Sequence, residues 1–343
     1  MKVAILIPTK NRPDFIERTL AYYDSLKSVH TVFIGDASGP EASARIAAAI
    51  KRLSNVEVRY FHWEDLGANQ TLVKLAQEAL RECQYCAFHG DDDFFVPSSL
   101  SKCAEFLSRN PSYRIAQGRA ALMILDRSGP YGEIRGLGDY WGRNAVEEET
   151  STERCISFEK KTFASQFSTH RTEEFLQDSQ DYLEIKEPQV GELLHNFTFV
   201  IRGKSKFIDC LYLIRNIHEE ISHPRFWDWI LQEDWSSEYH KVLNSLSLAL
   251  HESSDLSLSN AKKFVTKLLN EFMEKEGQDK SGVVLALSLS ARLRSYLPLS
   301  LRSAIKDVVI NDSRDMRLLR SRKSLFYYEF LPVRNSVSMN KLI

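Results

Sequence analysis

Short apolar segments alternate with amphipathic ones through the first 108 residues of the chain. Apolar runs at 3–7, 29–34, 56–62 and 85–88 have the length and the aliphatic or aromatic content of buried strands. After each run, apolar residues recur at helical spacing, and the links between segments are short. Connections of this kind produce a parallel sheet with right-handed crossovers, so the N-terminal half is predicted to be an α/β fold.

Polar residues follow three of these predicted strands at the point where each strand ends. Thr9, Asn11 and Arg12 follow the first strand, Asp36 follows the second, and the segment 91–93 follows the fourth. Ligands of open parallel sheets bind at this edge. The Asp36 carboxylate can accept hydrogen bonds from a base or a ribose, but Asp beside Gly and Ser is equally typical of a tight turn.

The three consecutive aspartates at 91–93 are the strongest candidate for a binding site. Asp91 and Asp93 lie two residues apart in a bend before a predicted helix at 98–108, which we expect to have a serine N-cap. Two carboxylates at this spacing can converge on Mg²⁺ or Mn²⁺, which completes its coordination with phosphate oxygens and water. The alternative is a solvated acidic turn. The chain has no Gly-x-Gly-x-x-Gly after the first strand and no P-loop motif, so we expect a metal ion to bind the phosphates.

The composition excludes several classes of function. The 45 Lys and Arg balance 46 Asp and Glu, for a formal net charge of −1, so we expect no nucleic-acid partner. The five cysteines lie in apolar segments, which favours reduced thiols over disulfides. The apolar N-terminal run is too short for a signal peptide, and no stretch resembles a membrane span. The sequence therefore predicts a cytoplasmic protein.

Three motifs taken together resemble the GT-A fold glycosyltransferases, in particular the family 2-like bacterial enzymes. The motifs are Ile5–Pro13, Ile34–Gly39 and Phe88–Asp93, the last with Pro97 and Leu100 behind it. The resemblance covers residues 1–125 well and continues more weakly to residue 250. It implies a Rossmann-like, nucleotide-diphospho-sugar transferase fold, in which a mixed sheet has helices on both faces.

The resemblance also implies roles for individual residues. It implies that the nucleotide sugar contacts Pro8, Thr9, Asn11, Arg12, Asp36, Asp91 and Asp92. Within this set Thr9, Arg12 and Asp36 would face the nucleoside, and Asp91 the ribose or the sugar. The implied ligands of a Mn²⁺ or Mg²⁺ ion are Asp91 and Asp93.

In an inverting glycosyltransferase a carboxylate accepts the proton of the acceptor hydroxyl, and inversion itself is implied here only by the resemblance. Glu192 lies near the start of a helix predicted from 188, where the resembled enzymes place this base. Those enzymes usually have Glu-Asp at this position, whereas this chain has Glu192-Leu193. A Glu there can also simply favour the helix dipole. Asp234 is the alternative base, because Glu233-Asp234 matches the pattern literally although it lies later in the chain.

Histidines that follow a predicted last strand at 204–214 are candidates for the metal. Many GT-A enzymes bring a histidine from a later segment onto the metal, and by this resemblance His218 is the expected ligand, with His223 as the alternative. A loop histidine can equally be a surface or capping residue. Between the halves, 129–150 has five glycines and weak periodicity, which predicts a long functional loop.

The strand patterns end near residue 243. We expect a GT-A domain at 1–245, with a nucleotide-binding half at 1–125 and an acceptor half at 126–245, followed by a C-terminal helical region at 246–343. Basic residues interleaved with Leu, Tyr and Phe between 291 and 323 fit a peripheral surface that meets anionic lipid headgroups on the inner face of the membrane. A helical bundle with a solvated basic face explains the pattern equally well.

The sequence as a whole predicts a metal-dependent glycosyltransferase. We expect it to move a sugar from a nucleotide diphosphate sugar, a UDP-sugar in the first instance, to a glycan or lipid-linked acceptor. A nucleotidyltransferase of similar fold is one alternative, and the absence of a Gly-rich basic phosphate loop argues against it. A non-catalytic sugar-binding protein is another, and the intact Asp91-x-Asp93 argues against that one.

Overall fold

Parallel strands and connecting helices form the N-terminal half of the fold. The computed structural model of the protein describes residues 1–141, 144–217, 235–274, 316 and 318–338. The elements of this half are β1 (Val3–Thr9), α1 (Pro13–Ser25), β2 (Thr31–Asp36), α2 (Pro40–Ile50), β3 (Val58–His62), α3 (Ala68–Leu80) and β4 (Tyr85–Phe88). Strand β1 pairs in parallel with β2 and β4, and β2 pairs in parallel with β3. The predicted parallel arrangement of these four strands is therefore confirmed.

The second half adds five strands and four helices among the described residues. They are β5 (Phe94–Phe95), α4 (Pro97–Arg109), β6 (Tyr113–Leu125), β7 (Ile134–Trp141), α5 (Ser151–Lys160), β8 (Thr169–Arg171), α6 (Thr172–Asp178), α7 (Pro188–Arg202) and β9 (Lys204–Ile217). Strand β8 pairs antiparallel with β4 on one side and with β6 on the other. Strand β6 also pairs in parallel with β9, which pairs antiparallel with β5.

One mixed sheet thus runs through both halves. Its order in the described part of the chain is β3-β2-β1-β4-β8-β6-β9-β5, with β7 attached to β6. The residues from Val3 to Ile7 on β1 are all 0% exposed, as expected for a strand that is covered on both faces. The predicted α/β class with a mixed sheet between helices is confirmed.

Two local predictions are wrong. The region 129–150, predicted as a long loop, contains β7, whose Gly136 and Gly138 pair with Ile124 and Leu122. Glycines and the register shifts of this pair hide the alternation by which a strand is recognised in a sequence. Helix α4 has Val96 rather than a serine at its N-cap. Its first residue is a proline, which fits because an N–H at that position has no partner within the helix.

The described part of the C-terminal region is helical, as predicted. It comprises α8 (Trp235–Glu252), a helix α9 over 258–274 and α10 (Tyr327–Ser338). Helix α8 packs on α7, and α10 packs on α1. The expected domain boundary at 245/246 falls inside α8, and that division remains a prediction. No helix among the described residues is long and apolar enough to cross a membrane.

All five cysteines are free and buried. This confirms the predicted core thiols.

Candidate active site

The candidate site lies where the order of the sheet reverses. Strands β1, β2 and β3 succeed one another in one direction, whereas β4 lies on the other side of β1. Ligands of open α/β sheets bind in the crevice outside the carboxyl ends of the strands at such a switch point. The loop after β1 and the loop after β4 flank this crevice, and they carry Thr9, Arg12 and the aspartates 91–93.

Side chains from the first of these loops bind Asp91. The Thr9 hydroxyl donates to Asp91 Oδ2 at 2.7 Å, and Arg12 Nη1 forms an ion pair with Asp91 Oδ1. Arg12 Nη2 lies 3.1 Å from Asp92 Oδ2, so one guanidinium bridges two carboxylates. Burial raises the pKa of Asp91 to about 6, although Arg12 and Thr9 lower it. The residues that were predicted to follow β1 and β4 are therefore in direct contact.

Helix α1 holds the backbone of the loop that contains Asp91 and Asp92. The Thr19 hydroxyl donates to the Asp91 carbonyl at 3.0 Å, and Arg18 Nη2 donates to the Asp92 carbonyl. Arg18 is 1% exposed and lies over the ring of Phe94 at 4.5 Å. Burial lowers the pKa of Arg18 to about 10, so it stays charged at neutral pH. These contacts hold the carboxylates in place without a ligand.

The third aspartate contacts the other half of the fold. Phe94 pairs with Ile214 between β5 and β9, which brings Asp93 beside Arg215. Arg215 Nε donates to Asp93 Oδ2 at 3.1 Å, and the Asn216 backbone N–H donates to Oδ1 at 3.1 Å. Burial raises the pKa of Asp93 to about 7 although Arg215 lowers it. Burial by itself would lower the pKa of Arg215, but Asp93 and its neighbours hold it above its ordinary value.

Arg215 has further partners in the second half of the fold. Its Nη1 donates to the Tyr140 hydroxyl at 2.6 Å, and its guanidinium lies 4.8 Å from the Tyr140 ring and 4.9 Å from the Phe167 ring. It also interacts electrostatically with Glu192. One cation therefore interacts with both Asp93 and Glu192.

Glu192 lies in the first turns of α7, as predicted, and its carboxylate is hydrogen bonded to the side chains of Gln166 and Asn196. Asn196 Oδ1 accepts from the Ser165 hydroxyl at 2.8 Å and from the Gln166 backbone N–H at 3.1 Å. The Asn196 amide N–H groups are therefore directed away from those donors and can serve Glu192. Burial raises the pKa of Glu192, while Arg215 and the two amides lower it.

Comparisons with known proteins were made for the whole chain. A family model described as "Glycosyl transferase family 2" matches residues 4–130. This part of the chain is therefore similar to glycosyl transferase family 2. It contains the loops after β1 and β4 and the residues Thr9, Arg12 and Thr19, which bind Asp91. A sequence search among curated proteins finds no match.

Several solved structures are similar to this chain. S. aureus TarS 1–349 in complex with UDP-GlcNAc has 17% sequence identity and a TM-score of 0.51, with 80% of this chain and 73% of that chain covered. A longer TarS structure has 16% identity and a TM-score of 0.47 over 79% of this chain and 43% of that one. The mannosyltransferase PcManGT from Pyrobaculum calidifontis, in complex with GDP-Man and Mn²⁺, has 13% identity and a TM-score of 0.41, with coverage of 90% and 87%. The likeness to TarS 1–349 confirms the GT-A fold.

The loop after β2 is closed by hydrogen bonds among its own residues and its neighbours. Asp36 is 0% exposed and accepts from the Ser38 backbone N–H at 2.9 Å and the Tyr60 hydroxyl at 2.7 Å. Asn11, at a positive φ of 56°, donates its backbone N–H to Ser38 Oγ and accepts from the Gly39 N–H. Pro8 pairs with Gly35 across the strands. Asp36 thus acts as a turn residue here, and nucleoside contacts by Asp36, Asn11 and Pro8 remain predictions.

The oxygen atoms at the candidate site suit a hard divalent cation. Each oxygen of Asp93 accepts one hydrogen bond and has capacity for another ligand, and Asp91 lies on the same short loop. The side-chain amide of Asn216, 5% exposed, has neither its Oδ1 nor its Nδ2 hydrogen bonded. Among the described residues, no three His, Cys, Asp or Glu side chains gather around one point. This sparse set fits Mg²⁺ or Mn²⁺ held by one or two carboxylates and phosphate oxygens.

Three residues that were predicted for the site lie outside the described part of the chain. They are His218, His223 and Asp234, which fall in 218–234. Their roles as metal ligand and as alternative base therefore stay predictions.

Several residues of the candidate site were not predicted from the sequence. They are Arg18, Thr19, Gln166, Asn196, Arg215 and Asn216. Arg215 directly follows the predicted last strand, and its place at the end of a sheet segment was the one available signal. Most of the others depend on partners far away in the sequence.

Proposed function

We propose that this chain is a metal-dependent glycosyltransferase that moves a sugar from a nucleotide diphosphate sugar, in the first instance a UDP-sugar, to a glycan or lipid-linked acceptor with inversion. The observation that carries the proposal is the contact of Arg215 with Asp93 together with its interaction with Glu192. It joins a candidate donor-binding loop and a candidate base in one site of a family 2 fold.

The donor half of the site suits a diphosphate. Asp91 and Asp93 would hold Mn²⁺ or Mg²⁺, which neutralises charge on the departing nucleoside diphosphate. The guanidinium of Arg12 bridges Asp91 and Asp92 at the mouth of the crevice, and its side chain is 27% exposed. It is therefore available to a phosphate or a ribose that enters the site. Thr9 and Arg18 keep the loop in one geometry.

The acceptor half suits proton transfer. A general base works best when its pKa lies near the working pH, and burial raises the pKa of Glu192 in that direction. Glu192 Oε atoms would accept the proton of an acceptor hydroxyl as its oxygen attacks the anomeric carbon. The half-buried ring of Tyr140 lies beside Arg215, and aromatic rings pack well against sugar rings.

The proposal also includes three features that rest on sequence patterns alone. These are a GT-A domain at 1–245, a helical region at 246–343, and a peripheral contact of 291–323 with the cytoplasmic face of a membrane. Of the latter segment, only residue 316 and residues 318–323 are described.

A panel of nucleotide sugars tests the proposed function directly. We expect one UDP-sugar to raise the melting temperature more strongly with Mn²⁺ than without it, and to be hydrolysed slowly to UDP and free sugar when no acceptor is present. Release of pyrophosphate from a nucleoside triphosphate and a sugar 1-phosphate, without hydrolysis of any nucleotide sugar, would indicate a nucleotidyltransferase. Binding without turnover, even with glycan acceptors, would indicate a sugar-binding protein.

The pH dependence of transfer should report the ionisation of Glu192. The base works only when it is ionised, so the rate should fall as the pH drops through the pKa of Glu192. Because that pKa is raised, the fall should begin above the range of an ordinary glutamate, whose pKa is about 4.3. Asn196→Asp removes an N–H donor and adds a carboxyl group, and it should move this acidic limb to still higher pH. The measurement is kcat against pH.

The control for this profile is Asn335→Asp, which adds the same group on the exposed side of α10. It should leave the profile unchanged. An acidic limb that does not move in Asn196→Asp would show that another group is the base.

A further inference from the structure

A cavity of about 430 Å³ lies outside the candidate active site, between the β6–β7 hairpin and the C-terminal segment. Its charged lining consists of Arg127 and Glu133 from the hairpin, Arg320, and Arg334 from α10. The Ser338 hydroxyl, at the end of α10, also faces it. Residues from three separate parts of the chain therefore meet around one space.

The charge around this cavity is strongly positive. The described residues that line it include three arginines and one glutamate, a formal sum of 3 − 1 = 2 positive charges before partners outside the lining are counted. Glu133 also lies 3.9 Å from Arg135, and Arg127 lies 3.8 Å from Asp126, a distance too long for a good hydrogen bond. Like charges around one space repel one another, and an anion that enters the cavity relieves this repulsion.

The walls of the cavity are held by hydrogen bonds of the main chain. The Gly132 N–H donates to the Val337 carbonyl at 3.0 Å, which ties α10 to the hairpin. Asp126 and Glu133 exchange main-chain and side-chain bonds of 2.9 Å across the turn. A Cβ atom at Gly132 would approach Asp126 Oδ1 to 2.5 Å, so this turn has no room for a larger residue. The backbone segments that carry Arg127 and Arg334 are therefore held in place.

We propose that this cavity binds a phosphate group. Guanidinium groups donate paired hydrogen bonds in a geometry that matches phosphate oxygens, and a site with several of them is selective for this anion over a monovalent one. The apolar residue Ile134 lines the same space and suits the carbon-bearing part of a phosphate ester. The inference does not depend on the proposed transferase activity.

The hairpin that carries this cavity also reaches the candidate active site. Arg18 donates to the Pro130 carbonyl at 2.7 Å as well as to the Asp92 carbonyl, and Tyr140 on β7 contacts Arg215. A phosphate-bearing molecule bound at the cavity would therefore lie on the same structural element as the residues around Asp93.

Inorganic phosphate titrated into the full chain tests the site. We expect binding by calorimetry and a fall in affinity of at least about tenfold, which is about 1.4 kcal/mol, for each of Arg127→Gln and Arg334→Gln, since each removes a charge-assisted hydrogen bond. Arg135→Gln is the matched control, because Arg135 is 64% exposed on the same hairpin but does not line the cavity. It should bind phosphate like the parent protein.

The titration is repeated with saturating UDP and Mn²⁺, so that phosphate at the candidate active site does not contribute. Equal phosphate affinity in the parent protein and the Arg127→Gln/Arg334→Gln double variant would overturn the proposal, as would an equal loss in Arg135→Gln. Unchanged UDP binding by the double variant shows that it is folded. Failure of UDP to bind any variant would count against the proposed function alone.

Two further arms identify the source of the phosphate group. Glycerol 3-phosphate represents a soluble ester, and phosphatidylcholine vesicles that contain phosphatidic acid represent a lipid headgroup. Loss of vesicle binding in the double variant but not in Arg135→Gln supports a headgroup ligand. If the double variant loses glycerol 3-phosphate binding but keeps vesicle binding, the ligand is a soluble phosphate ester. Binding of neither by the parent protein would overturn the proposal.

Discussion

Replacement of Glu192 by glutamine should lower the rate of sugar transfer by about 10²- to 10⁴-fold, the usual contribution of a general base. Glutamine keeps the size of the side chain and can still form hydrogen bonds with Gln166 and Asn196, but it cannot accept the acceptor proton at neutral pH. Donor affinity should not change, because the residues that would bind the donor lie on the loops after β1 and β4. The measurement is kcat together with calorimetry of the nucleotide diphosphate.

The matched variant is Asp234→Asn, which tests the alternative base. If Glu192→Gln keeps most of its activity while Asp234→Asn abolishes transfer with donor binding intact, the base is Asp234. A loss of donor binding in Glu192→Gln would instead indicate that the substitution disturbs Arg215 and, through it, Asp93.

The Asp93→Asn variant should lose the Mn²⁺-dependent part of nucleotide diphosphate binding, by at least about 100-fold. Even the partners of metal ligands contribute about 10- to 100-fold to metal affinity, and Asp93 is a proposed ligand itself. The substitution also leaves Arg215 without its buried carboxylate. This should lower the free energy of unfolding by up to about 3 kcal/mol, and by less where water reaches Arg215, which is 33% exposed.

The two effects of Asp93→Asn can be separated by a second substitution. The double variant Asp93→Asn/Arg215→Gln no longer contains the cation that lost its ion pair with Asp93, so it should regain stability but not metal-dependent binding. Asp209→Asn is the control, because it breaks another Arg–Asp pair on β9, to Arg119, away from the site. Metal-dependent binding that survives in Asp93→Asn would remove Asp93 from the proposed metal site.

Much of the fold could be predicted from the sequence because its first half repeats a local pattern. Strand β4 and the buried stripe of α1 follow directly from apolar spacing. The ends of strands are harder to predict. The apolar run predicts a strand from Val29, but Val29 is 69% exposed and β2 begins at Thr31. Strand β5, with two residues, is too short to have any recognisable pattern.

The candidate site could be predicted only where it depends on adjacent parallel strands. Thr9 and Asp91 follow β1 and β4, so the sheet alone brings them together. The contact between Asp93 and Arg215 spans 122 positions of the chain and requires the pairing of β5 with β9. No local pattern encodes such a pairing. The same holds for Asn196, whose role depends on where α7 packs.

Strand β8 has a consequence for the way this protein must be made. Its three residues, Thr169–Arg171, cover the edge of β4 and join it to β6. On the ribosome, β1 to β4 are complete long before β8 is synthesised. Until then, the main chain of Tyr85–Phe88 presents unpaired, apolar strand edge, which is a template for pairing with another chain. Chaperone binding to nascent chains that end before Thr169 would guard against aggregation at this edge.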